Sequence, residues 1–432
     1  MSISEFLKKK WMNNTSAFLI KDSDEVFFSD IEAINTDYLH PIESGDVVAL
    51  IGDFDAHSIA ALFFLFDLKT IVVPLTKLTQ IEHEYFFESA KVQWIVQDNE
   101  LKKISEKNSD PLLSILRESN DPGLILFSTG STGKPKAVLH NFRTFIERFY
   151  TTRPATRTLA FLLFDHIGGL NTLFHTLFNE GTVISTSDRS IENVLKICRE
   201  NRVETLPTTP TFLRMMLISG YINDSFPSDI NLITYGTERM DEQTLIQISA
   251  LLPNVDFRQT YGLSELGIMR IKSHSRSSLF MKIGGEGFEY KILDNELWIL
   301  AKNRMLGYLN ADSPFDENGW YNTHDLVEMN SSGEIRIIGR NSDLVNVGGL
   351  KFRIEEVERV ALSFQGILFA KGLKVANPFT GEHVELLVEP KSQDSFDLED
   401  FKKFLSRNLV NHMIPRRVRV GGVKIGHRFK QI

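Results

Sequence analysis

Over most of its length the chain alternates apolar, β-branched runs with helical patterns, the arrangement that builds mixed α/β folds. Residues 47–51 form an unbroken apolar run that reads as a buried strand, 57–68 read as a helix and 70–74 as the next strand. A short strand over 124–128 leads directly into a glycine-rich turn, and 141–151 reads as a helix. Residues 182–185 and 205–207 read as parallel-sheet strands flanking a helical pattern over 191–201. The texture changes after about residue 285. Alternating segments over 290–293 and 296–300, broken by Asp294-Asn295, predict an antiparallel hairpin, and 334–338 adds another strand. Gly339-Arg340 then opens a polar stretch, beyond which helical patterns over 354–362 and 398–409 belong to a small unit of their own. The expected boundary lies at 340–343, dividing 1–340 from 341–432.

Composition narrows the class without naming it. Of the 432 residues, 42% are hydrophobic and 24% charged, which excludes a disordered or fibrous chain. A net charge of −8 gives no global field to gather nucleic acid or an anionic membrane, so any bound anion must meet a local site. The single Cys198 allows no internal disulfide, and no Cys/His cluster offers a structural zinc site. Lysine-rich residues 1–14 are not followed by the apolar segment of a signal peptide, and the longest apolar stretch, 59–66, is far short of the ~20 residues that span a bilayer. A cytoplasmic protein without membrane insertion is the expectation. Phenylalanine is abundant, with 32 residues.

The sharpest local feature is Ser128-Thr129-Gly130-Ser131-Thr132-Gly133-Lys134-Pro135-Lys136. A strand entering a turn rich in glycine, hydroxyl groups and lysine supplies the N–H and O–H donors that wrap a phosphate chain. It is not a Walker loop, because Pro135 follows Lys134 and Ser128 stands where that motif needs glycine. Continued as Ala137-Val138-Leu139-His140, the run resembles the phosphate-binding signature of the adenylate-forming superfamily, which includes acyl- and aryl-CoA synthetases, nonribosomal adenylation domains and luciferases. Ala137 replaces the usual glycine.

Further segments resemble that superfamily in the same order. Thr260-Tyr261-Gly262-Leu263-Ser264-Glu265 is similar to an element in which the tyrosine stacks on adenine, the hydroxyl residue holds phosphate and the glutamate holds Mg²⁺. An aromatic face suits a purine, and a carboxylate is a hard ligand that suits Mg²⁺. Residues 319–326 resemble the segment whose aspartate, here Asp325, accepts both ribose hydroxyls; His324 stands where glycine is usual. Arg340, Gly348 and Gly349 resemble the hinge region and the opening of a mobile C-terminal domain, with Arg340 toward ribose or α-phosphate and the two glycines toward a pantetheine tunnel. Ser342 occupies the usual hinge Asp/Lys position. The adenylation lysine is Lys430 by its distance from Pro415, with Lys424 the alternative from local pattern.

The stretch Phe164-Asp165-His166-Ile167-Gly168-Gly169 resembles two subgroups at once. Asp165 would bind an amino group in amino-acid-activating domains, whereas His166 would sit beside the substrate carboxylate in CoA ligases. The 15-residue interval from His166 to Gly181 favours the latter. The acyl pocket is then expected to include Tyr235, Gly236, Thr237 and Leu263.

The resemblance implies an α/β fold: a large N-terminal domain of several subdomains, with mostly parallel sheets flanked by helices and a β-barrel-like part, and a small mobile α+β C-terminal domain. It also implies an AMP-forming ligase acting on a small-molecule carboxylic acid, with ATP and Mg²⁺. The acyl-adenylate would pass to the phosphopantetheine thiol of CoA or an acyl carrier protein. Amino-acid-type adenylation, a non-thiol acceptor and an inactive binding homologue are the alternatives.

Overall fold

The computed structural model describes residues 2–128, 134–222, 226–285, 287–340, 343–390 and 396–421. Two seven-stranded sheets organise the first half. In the first, Val47–Ile51 lies between Ile71–Leu75 and Trp94–Gln97, parallel to both, and every residue of the first two strands is buried. Gly123–Ser128 continues the parallel order, and Lys136–Asn141 folds back antiparallel onto it. The second sheet sets Thr158–Leu159, Val183–Ser185, Thr205–Thr208, Leu232–Tyr235 and Asp256–Gln259 in parallel. Strands buried on both faces need near-continuous apolar runs, which is why Val47–Ile51 and Ile71–Leu75 are legible in the sequence.

Helix Ala56–Asp67 sits within one residue of its expected place, with Asp55 capping its N-terminus through the Ser58 N–H. The helix expected over 141–151 is shorter. Asn141 is its cap, Phe142–Ile146 its α-helical part, and Glu147–Tyr150 a 3-10 turn. Helix Ile191–Glu200 matches its pattern, starting after the Ser190 cap.

The phenylalanines gather in the core that joins the two sheets. Phe66 and Phe142 stack at 3.5 Å between centroids, and Phe174, Phe149, Phe178 and Phe6 extend the contact in tilted pairs, with Phe149 and Phe178 edge to face. Trp11, on helix Ile3–Trp11, closes this core and donates its indole N–H to the Leu177 carbonyl at 2.8 Å. Stacked and tilted rings add about 0.5–1.5 kcal/mol per pair beyond area burial.

The later segments form a seven-stranded antiparallel sheet running from Tyr261–Leu263 to Phe288–Leu293. This is the part expected to be barrel-like; in the described pairings it runs from end to end without closing on itself. Phe288–Leu293 and Glu296–Ala301 form the hairpin expected at Asp294-Asn295, whose φ angles of 52° and 62° are those of a two-residue primed turn. The fourth sheet contains Leu344–Val347, Leu350–Arg353, Ile367–Asn377, Gly381–Pro390 and Arg417–Val420. With helices Ile354–Leu362 and Leu398–Asn408 it encloses its own apolar cluster around Val345, Val357, Leu386 and Phe401. Among the described residues no helix is long and apolar enough to cross a membrane.

Candidate active site

The ends of the phosphate-type turn are fixed by pairing. Ser128 stands opposite Lys136 in the antiparallel ladder, so the chain must reverse between them. Thr129, Gly130, Ser131, Thr132 and Gly133 lie outside the described residues. Below the turn, the Tyr85 hydroxyl donates to the Pro135 carbonyl at 2.8 Å, and the Asn310 amide donates to the same carbonyl at 3.1 Å and accepts from the Ala137 N–H at 2.9 Å. Ala137 itself is fully buried, so its extra methyl over glycine faces the core. Lys134 and Lys136 hold their ammonium groups over the rings of Tyr85 and Tyr308, at 5.6 and 4.8 Å. Among the described residues the buried Ser128 hydroxyl has no hydrogen-bond partner, so it is able to donate to an anionic oxygen.

Two buried carboxylates stand on the antiparallel side. Glu265 accepts from the Tyr308 hydroxyl at 2.7 Å, and its carbonyl accepts from the Met305 N–H at 2.8 Å. Burial and then the nearby Glu265 charge push the Tyr308 hydroxyl far above its ordinary pKa, and Tyr321 beside it is raised for the same two reasons. Both phenols are therefore proton donors at neutral pH. Asp325 accepts from the Tyr261 hydroxyl on one oxygen, at 2.5 Å, and from the Arg340 guanidinium on the other, at 2.8 Å. Burial works against the charge of Arg340, but Asp325 outweighs it and the guanidinium pKa is raised. Each carboxylate oxygen retains a second lone pair, so a ribose diol can bind Asp325 without displacing either partner.

The neighbouring backbone is tightly specified. His140 bonds the Ser264 carbonyl through Nε2 at 2.6 Å, tying the strand after the phosphate-type turn to the segment ending in Glu265. Thr260 donates its N–H to the Tyr235 carbonyl at 2.7 Å, and a Cβ at Gly236 would stand 2.1 Å from the Thr260 hydroxyl oxygen. Only glycine fits there. The Tyr235 ring is buried in the core of the second sheet, while Leu263 packs at the margin of the third-sheet core. The Thr237 hydroxyl is buried without a partner, and Gly262 lies in the strand Tyr261–Leu263.

The structure puts several expected residues in a different light. His166 is the N-cap of helix Ile167–Phe178, its Nδ1 accepting from the Gly168 N–H at 3.0 Å, so that nitrogen carries no proton. His324 does not crowd the Asp325 carboxylate. Its φ is 57°, which explains why glycine suits this position, and its exposed ring turns toward Glu296 at 3.8 Å. Gly348 and Gly349, with φ of 60° and 90°, form the two-residue turn between Leu344–Val347 and Leu350–Arg353. Ser342, Lys424 and Lys430 lie outside the described residues.

Tyr308, Tyr85 and Asn310 are the site residues that sequence reasoning missed, while Tyr321 lies in the recognised 319–326 segment without a role assigned to it. Strand Gly307–Tyr308 reaches the site by pairing with Val138 and Leu139, about 170 positions earlier, and no local pattern announces such a contact. The short apolar run 305–309 is its only local trace. Among the described residues no three His, Cys, Asp or Glu side chains group as a metal cage. The buried carboxylate of Glu265, beside the phosphate-type turn, has the chemistry of a hard oxygen ligand that would suit Mg²⁺.

The medium/long-chain-fatty-acid–[acyl-carrier-protein] ligase FadD10 of Mycobacterium tuberculosis is 28% identical over 316 residues, covering 62% of this chain and 56% of that protein. The fatty acid–[acyl-carrier-protein] ligase MmaC of Mycobacterium marinum is 28% identical over 310 residues, covering 62% and 58%. The matched region thus spans little more than half the length of these relatives. The structure of ATP-bound MatB from Rhodopseudomonas palustris superposes with a TM-score of 0.80 at 17% identity, over 99% of this chain and 97% of that one, and shows the fold. The profile of the AMP-binding enzyme family matches residues 39–309, a span that holds the phosphate-type turn, Glu265 and Tyr308, and the chain belongs to that family.

Proposed function

We propose that the protein activates a carboxylic acid with MgATP and passes the acyl group to a pantetheine thiol. The observation that carries this reading is the pair of buried carboxylates, Glu265 on Tyr308 and Asp325 on Tyr261 and Arg340, beside the base of the phosphate-type turn. In the first step an acid oxygen attacks the α-phosphorus, the bond to the β-phosphate oxygen breaks, and pyrophosphate leaves with the acyl-adenylate formed. Ser128 to Gly133 and Lys136 would cradle the phosphates, Glu265 would hold the Mg²⁺ that ATP brings, and Asp325 the ribose. Lys430 would bridge carboxylate and phosphate oxygens. Preorganised charge of this kind acts where the transition state gains it. In the second step the thiol sulfur attacks the acyl carbon, the carbon–oxygen bond to AMP breaks, and the thiol proton is released.

The domain division at 340–343 belongs to this proposal: residues 341–432 turn to replace Lys430 by the Gly348–Gly349 turn. A non-amino acid is the favoured substrate. The 15-residue interval from His166 to Gly181 supports this choice, and Asp165 is buried, within the field of the Arg189 guanidinium. The acid is of the fatty or aryl class; the names of FadD10 and MmaC indicate fatty acids for those proteins, and ATP and thiol supply suits the cytoplasm.

Pyrophosphate exchange into ATP, measured against a panel of fatty and aryl acids, tests the reading, and no exchange with any acid overturns it. Lys430→Ala is expected to abolish exchange while sparing thioester formation from supplied acyl-AMP. Unchanged exchange in that variant, with loss in Lys424→Ala, moves the role to Lys424.

A further inference from the structure

The two-glycine turn has an unusual neighbour. The hairpin joining Ile367–Asn377 to Gly381–Pro390 carries Phe379 at its tip, 95% exposed. The tip is ordered, since Asn377 Oδ1 accepts from the Phe379 N–H at 2.9 Å and the Thr380 N–H at 3.1 Å. The Gly348 N–H donates to the Thr380 carbonyl at 2.8 Å, which sets Phe379 one residue from the turn. Leu350, on the other side of the turn, is 55% exposed. A single exposed apolar residue needs no explanation, but two flanking one functional turn do.

Charge lies along the same strand edge. Val347 stands opposite Gly381, and Arg417 opposite Glu385, four residues or about 13 Å further on. Glu382 is held by Lys374 and the Asn346 N–H, and Glu385 by Arg419. Arg416 and Arg417 are exposed and make no ion pair among the described residues.

We infer that this face, Phe379 and Leu350 with Arg416 and Arg417, docks an acidic carrier protein that brings the acceptor thiol to Gly348 and Gly349. The inference rests on the proposed ligase reading and decides its acceptor. Shape separates the carrier from free CoA: small molecules bind in concave, largely apolar clefts, whereas a protruding aromatic tip beside arginines is the composition of a protein–protein contact. The basic edge steers an acidic partner, so the association weakens as salt rises.

The test compares a purified holo acyl carrier protein of the fatty-acid type with CoA as acceptors for the wild type, Phe379→Ser and the double variant Arg416→Glu/Arg417→Glu. Each variant is expected to raise the KM for the carrier protein about tenfold, equivalent to about 1.4 kcal/mol, with the KM for CoA and the pyrophosphate exchange rate unchanged. Equal losses with CoA, unchanged kinetics with the carrier protein, or turnover of CoA alone by the wild type each overturn the inference. Calorimetric binding of the carrier protein to wild type and Phe379→Ser gives a readout independent of turnover. A wild type that binds the carrier yet exchanges no pyrophosphate refutes the ligase reading; one that exchanges pyrophosphate but does not bind the carrier refutes the docking face.

Discussion

Tyr308 joins three parts of the site: its strand pairs with the one after the phosphate-type turn, its ring lies under Lys136, and its hydroxyl holds Glu265. Hydrogen bonds to charged groups contribute roughly 1.5–3 kcal/mol. Tyr308→Phe keeps the ring and removes only the donor, so the Mg²⁺ concentration for half-maximal pyrophosphate exchange should rise about tenfold, with activity restored at high Mg²⁺. An unchanged Mg²⁺ requirement would show that Glu265 is oriented without it. His140 gives a second residue-scale expectation. Burial pushes its pKa down from 6.5 to about 4, against the opposing bond to the Ser264 carbonyl. The native ring stays neutral while the unfolded chain takes a proton as pH falls below 6.5, so stability present above that pH is lost toward pH 4. The contribution is on the order of 3 kcal/mol. His140→Gln can still donate to the carbonyl but does not titrate, so its denaturation free energy should fall less than the wild type's between pH 7 and about pH 4.5; equal slopes would exclude the role. His83 and His175 are lowered by burial in the same direction and contribute a slope that remains in the variant.

Elements with one strong period were readable from the sequence, and elements defined by a partner were not. The buried strand Val47–Ile51 and the Asp294-Asn295 hairpin follow from apolar continuity and from turn chemistry, both local. The pair Leu19–Lys21 and Asp24–Val26 escaped, because three-residue strands at a sheet margin show no alternation to count. Site residues divide in the same way: Glu265 and Asp325 belong to local motifs, whereas Asn310 and Tyr308 acquire meaning only from segments that meet in space. Helix Ile167–Phe178 carries an element-scale prediction. A Cβ at Gly169 would lie 1.9 Å from the Leu163 carbonyl oxygen, backbone that has little freedom to move. Gly169→Ala should destabilise the protein by about 3 kcal/mol and shift the His166 cap. A melting temperature equal to the wild type's would mean that the helix start can slide.

At the scale of the whole molecule, the fourth sheet and the large part touch through few charges. Arg239 pairs with Glu355 and lies 3.8 Å from Glu358 on helix Ile354–Leu362, while Arg214 stands 5.5 Å from the Phe369 ring. Partly exposed pairs of this kind hold an orientation with about 1 kcal/mol each. Arg239→Ala should therefore speed limited proteolysis at 340–343 about fivefold with little change in the overall melting temperature, and unchanged cleavage would refute the latch. Arg340 gives the junction its further meaning. It is the last residue of strand Ile335–Arg340, and its guanidinium holds the carboxylate proposed for ribose. The lever arm and the nucleotide clamp thus share one side chain. By linkage, any factor by which a bound nucleotide favoured one orientation of the small unit would be the factor by which that orientation favoured the nucleotide, so under the proposed function release of AMP and the swing of the small unit would be coupled.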